Sequence, residues 1–159
     1  MKFTVKEITR IALIAALYVV ITIALAPISY GNIQVRLSEA LTLLPFFMGY
    51  PAAIALGIGV MIANYFGSPL GMMDIVLGPV LTLVAALLTA RARNLYAGAI
   101  YPVLINAFGV AFILNYALEL PYWLSVLQVA AGQFIAVYVV GILLMRILQR
   151  YDFFDKIKE

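Results

Sequence analysis

Apolar runs long enough to cross a bilayer follow one another from Ile8 to Leu148, broken only by short clusters of Pro, Gly and charged residues. A spanning helix needs about 20 apolar residues, so the chain has room for roughly six or seven spans and little else. Only 11% of the 159 residues are charged and the mean hydropathy is +1.11, which leaves too little polar surface to cover a fold in water. Lipid is therefore the expected solvent, and the expected fold is an all-α membrane protein forming a single membrane domain over residues 1–159. The run Ile11 to Ala26 is long for a cleavable leader and meets Pro27 without a cleavage pattern, so it is expected to remain as a span.

The breaks place six spans at about 8–26, 38–49, 51–66, 73–90, 95–118 and 122–148. Ala26-Pro27 ends the first, and Ser38 is placed to cap the second. Tyr50-Pro51, Gly67 to Gly71, Arg91 to Asn94 and Glu119-Leu120-Pro121 make the later turns. Six spans put both termini on the side that carries nine of the ten basic residues, with Arg36 alone opposite. Basic residues accumulate on the cytoplasmic side, so both termini are expected there, in a multi-pass protein of the cell membrane. The same layout puts Glu39, Asp74 and Glu119 on the outer side, each at a span end.

The chain has no Cys and no His, which removes thiol redox chemistry, Cys/His metal sites and Ser-His or Cys-His nucleophilic catalysis. It has no Gly-Lys pair, hence no P-loop. No enzyme activity, no metal and no cofactor are expected in this chain. Energy for any transport must come from an ion gradient or a partner.

Function then rests on polar residues that lipid would otherwise exclude. Glu39 either pairs with Arg36 three residues earlier or points into an outward-facing pocket that Arg36 shares. Asp74 opens a helix, where the dipole favours it; Glu119 closes one, where the dipole does not. Asn106 lies about 18 Å below Leu118, near mid-membrane, where an amide bonds a neighbouring helix or a ligand. Gln128 and Gln133 point about 140° apart, so at most one faces a common pocket. Trp123, with Tyr116 and Tyr122, serves either as an interfacial belt or as a stacking surface. Ala12 and Ala16 share one face of the first helix, as do Ala53 with Gly57 and Gly59 with Ala63, allowing close helix approach.

The segment Tyr30-Gly31-Asn32-Ile33-Gln34-Val35-Arg36-Leu37-Ser38-Glu39-Ala40-Leu41, ending at Leu44-Pro45, resembles the QueT family of queuosine-precursor transporters. Ile62-Ala63-Asn64, Gly67-Ser68-Pro69 with Gly71 and Asp74, Gly78 with Thr82-Leu83, and Ile105-Asn106-Ala107 extend the likeness over nearly the whole chain. It implies a six-helix substrate-binding S component of an energy-coupling factor transporter, with its pocket under the first loop. The implied partners are a transmembrane coupling subunit docking at Ala12 and Ala16 and two ATPase subunits, which use the ATP. Membrane lipid and a small-molecule substrate complete the partners; no nucleic acid polymer is among them. The implied substrate is a 7-deazaguanine such as the 7-aminomethyl form, whose adjacent N–H donors one carboxylate can accept. Glu39 is the expected acceptor. Arg36, Gln34, Asn64, Asp74, Asn106, Glu119, Trp123 and Gln133 are the other expected binding residues. The family pattern has Thr where this chain has Pro79, and a Gly-Glu pair where it has Gly132-Gln133. A solitary ion-coupled transporter of a small polar solute and a non-transporting membrane scaffold are the alternative functions.

Overall fold

The computed structural model describes residues 3–30 and 35–158 and is helical throughout, with no strand among those residues. Helix α1 spans Val5–Ala24. A helical turn at Ala26–Ser29 follows it. Next come α2 (Leu37–Met48), α3 (Tyr50–Gly67), α4 (Met72–Ala90), α5 (Leu95–Leu118) and α6 (Tyr122–Arg150), then a short α7 (Phe153–Lys158). The five helices α1, α3, α4, α5 and α6 are long and apolar enough to cross a membrane; α2 is apolar but shorter.

Local chemistry sets the helix ends. Thr4 and Glu7 form a reciprocal capping box at the start of α1, and Pro27 lies just beyond its end. Asn94 caps α5 by accepting from the Ala97 amide at 2.8 Å. Gly49 and Gly71 precede α3 and α4 at φ 67° and 68°, a region that side-chain-bearing residues avoid.

Helix α1 packs on α3, α3 on α4, α4 on α5 and α5 on α6. The α1–α3 contact is close because a side chain at Gly59 would meet the Tyr18 Cβ at 3.0 Å and the Ala15 carbonyl at 3.2 Å. Outward faces carry Leu13, Leu17, Val20, Ile100, Leu104, Phe108 and Phe112, all exposed. Such a surface is costly in water and natural in lipid.

The expected second span differs in kind from the others. Over Leu37–Leu43 it is a 3₁₀ helix, becoming α only at Leu44–Met48, and every residue from Ser38 to Pro45 is buried. Protein rather than lipid surrounds it: it packs against α1, α3, α4, α5 and α6. Ser38 does not cap it; Arg36 occupies the cap position, and the Ser38 hydroxyl lies 2.7 Å from that of Thr22 on α1. Opposite, α6 widens into a π-helix over Phe134–Gly141. Its i→i+5 closure gives more residues per turn than the 3.6 of an α-helix, so residues four apart stay nearer one face. Gln133, Val137, Gly141 and Met145 are accordingly all buried. At Gly141 an added Cβ would come within 3.2 Å of the Ala40 carbonyl, so the two irregular helices meet backbone to backbone.

Candidate functional site

Inside the bundle these two stretches meet α3, α4 and α5 around a small polar cavity. Arg36, Glu39, Asp74, Thr82, Asn106 and Gln133 supply its polar lining, with Val60, Val110 and Val129 as apolar walls. The enclosed space is about 10 Å³, room for a single water. Any solute larger than water enters only when the walls part.

Glu39, 2% exposed, is held by two helices. The Tyr18 hydroxyl donates to Oε1 at 2.5 Å and the Asn106 amide donates to Oε2 at 3.2 Å. The Gln133 amide faces the same carboxylate from α6. An ionised carboxylate has about four acceptor positions, so Glu39 keeps capacity for a ligand donor.

Arg36 turns away from the expected i,i+3 partner. Its extended backbone, φ −86° and ψ 100°, directs the guanidinium toward α4, where Nη2 lies 3.5 Å from Asp74 Oδ2. Nη1 donates to Asn64 Oδ1 at 3.0 Å, and the Tyr30 ring lies under the guanidinium at 4.6 Å. Asn64 in turn donates to the Asp74 carbonyl at 2.9 Å, and the Ser68 hydroxyl donates to Asp74 Oδ2 at 2.6 Å. Gly78 makes room for this cluster, since a Cβ there would meet Asn64 Nδ2 at 2.6 Å and Asp74 Oδ1 at 3.1 Å. Both acids are fully buried and Arg36 is the cation beside them. With both acids ionised, the formal balance of the three is −1.

Five of the expected residues thus line one cavity: Arg36, Glu39, Asp74, Asn106 and Gln133. Asn64 stands behind them, joining Arg36 to Asp74. Gln34 lies outside the described residues. Glu119 is exposed, closing α5 in the left-handed region at φ 56°, and Trp123 is 71% exposed beside Tyr122. Neither reaches the cavity, because the end of α5 and the start of α6 lie outside its lining. Among the described residues no aromatic ring lines the cavity, so valines rather than stacking rings form its apolar walls. Tyr18 and Thr22 were missed by sequence reasoning. The available signal was a Tyr and a Thr four residues apart inside a lipid-length run, which puts both on one helix face. Ala12 and Ala16 are exposed and line an open apolar groove of about 530 Å³ with Ile8, Val19, Ile58 and Ile62.

The family model described as QueT transporter matches residues 8–150, nine-tenths of the chain and every element of the cavity. The chain belongs to the QueT transporter family. A curated relative, "Queuosine precursor transporter QueT" from Lactococcus lactis subsp. cremoris (strain MG1363), is 32% identical over 162 residues. That match spans 92% of this chain and 94% of the relative. No solved structure matches. In this QueT-family chain the residues quoted for the likeness converge in space: Arg36 and Glu39, Asn64, Asp74, Gly78 with Thr82, and Asn106 are the cavity lining and its immediate support.

Proposed function

We propose that this chain is the substrate-binding membrane subunit, or S component, of an energy-coupling factor uptake transporter, and that it captures a queuosine precursor from the outer side. The observation that carries the reading is the buried Glu39 carboxylate beside Arg36, Asp74, Asn106 and Gln133. A 7-deazaguanine offers a ring N–H donor to Glu39 and a ring carbonyl to a donor such as Arg36. In the 7-aminomethyl form the ligand carries one positive charge, which neutralises the formal −1 of the Arg36, Glu39 and Asp74 set. A neutral solute leaves that charge buried, which costs more. The name of the Lactococcus relative supports the same substrate class.

In this reading α2 serves as the sixth, short span, both termini are cytoplasmic, and Glu119 and Trp123 belong to the outer rim rather than the binding site. The partners are a transmembrane coupling subunit and two ATPase subunits that supply ATP hydrolysis. The groove at Ala12 and Ala16 receives the coupling subunit, because small side chains there let another helix approach closely.

Uptake of labelled 7-aminomethyl-7-deazaguanine, measured in cells expressing the chain with and without a coupling module, tests the proposal. Uptake only with the module is expected. Uptake by the chain alone would indicate an ion-coupled transporter. Absence of uptake in both, with no saturable binding, would indicate a scaffold.

A further inference from the structure

Three side chains that line the cavity keep hydrogen-bonding capacity that the described residues leave unused. Gln133 Oε1 and Arg36 Nη2 are buried, and among the described residues no group makes a hydrogen bond to either, though Nη2 lies 3.5 Å from Asp74 Oδ2. Glu39 lines the same cavity as both. The orientation of the Gln133 amide follows from its neighbour. A carboxylate only accepts, so the NH₂ end turns to Glu39 and the oxygen is left toward the cavity. The unpartnered atom is indeed the oxygen. The side chain is 4% exposed and sits immediately before the π-helix that turns its face onto α2.

The cavity thus presents one donor, at Arg36, and two acceptors, at Glu39 and Gln133. The complementary edge is a carbonyl, a ring N–H and an exocyclic amine. Building on the proposed substrate class, we propose that Gln133 reads the exocyclic amino group of the bound base. Glu39 then takes the ring N–H and Arg36 the carbonyl. An adenine-type edge offers one donor group beside one acceptor, so it leaves one of the two cavity acceptors unpaired. A base lacking the amine leaves the Gln133 oxygen buried and unpaired.

The test is a titration of the purified full chain with 7-aminomethyl-7-deazaguanine and with 7-aminomethyl-7-deazahypoxanthine, which lacks only the exocyclic ring amine. Wild type is expected to prefer the base with the ring amine by at least about tenfold, the ratio that one unpaired buried acceptor produces. In Gln133→Met, which keeps the volume but has no acceptor, the ratio is expected to fall below about threefold. Gln133→Glu, which keeps an acceptor oxygen there, is expected to retain the preference. A ratio that stays above about tenfold in folded Gln133→Met would overturn the assignment while leaving the substrate class standing. So would a wild-type ratio below about threefold, or loss of the preference in Gln133→Glu, even were the Met variant unable to fold. Binding of neither base by wild type would overturn the substrate class, and this assignment with it.

Discussion

Glu39→Gln changes one atom in the cavity, and its effect can be worked from the contacts. Both carboxylate oxygens are occupied, Oε1 by the Tyr18 hydroxyl and Oε2 by the Asn106 amide. In the Gln variant one oxygen becomes an NH₂. Without ligand the Tyr18 hydroxyl can rotate and accept from it, so most of the mismatch is absorbed, and relief from burying a charge offsets part of the rest. The ligand-free melting temperature should therefore move by less than about 4 °C, the shift that roughly 1 kcal/mol produces in a domain this size. With ligand bound there is no such escape, because a new donor faces a ligand donor and the negative charge is gone. An unmatched buried donor costs about 1–3 kcal/mol, and a charged acceptor is worth more than a neutral one. Affinity should fall by at least about 2 kcal/mol, close to 30-fold. Isothermal titration in detergent measures the affinity and a melting curve on the same sample measures the fold. Affinity within twofold of wild type in a folded variant would refute the role given to Glu39.

Asp74→Asn should destabilise the protein by about 3–5 kcal/mol, because it leaves the Arg36 cation buried without its counter-charge. Melting curves should show this, and Arg36→Met added to Asp74→Asn should recover much of the loss. Ala12→Trp should leave ligand affinity nearly intact while abolishing co-purification with the coupling subunit and uptake, since bulk in the groove forfeits close helix packing. Loss of ligand binding as well would mean that the groove supports the bundle itself. Single cysteines at the exposed positions Pro69 and Glu119 should label from outside in intact cells, and those at Arg93 and Asp152 should not; external labelling at Arg93 would contradict the proposed topology.

Helix placement was largely legible in the sequence because lipid-length apolar runs and Pro-Gly breaks are local signals. The expected 95–118 span matches α5 end for end, and 51–66 and 73–90 differ from α3 and α4 by one residue at most at either end. The nature of α2 was not legible. Its length and apolarity suit a short span, and only the bundle around it explains its 3₁₀ geometry and the burial of Ser38 to Pro45. The Arg36–Asp74 pair was equally hidden. Spacing made Glu39 the natural partner for Arg36, whereas the extended backbone at Arg36 and the Asn64 amide direct the guanidinium to a residue 38 positions away. Glu119 and Trp123 show the converse: residue type alone suggested a ligand contact, and their position at helix ends put them outside the cavity. Gln133 was chosen over Gln128 only through family likeness, and the widened turn that follows it has no marker in the apolar run Phe134 to Gly141.

The isolated chain should capture its ligand without moving it across the membrane, and a titration with 7-aminomethyl-7-deazaguanine measures that capture. The protein is purified in detergent with no coupling subunit, no ATPase and no nucleotide. Saturable binding at one ligand per chain is the expected result, with affinity unchanged when ATP is added. Absence of saturable binding by folded protein, or binding that appears only when the coupling subunit and ATPases are present, would contradict it.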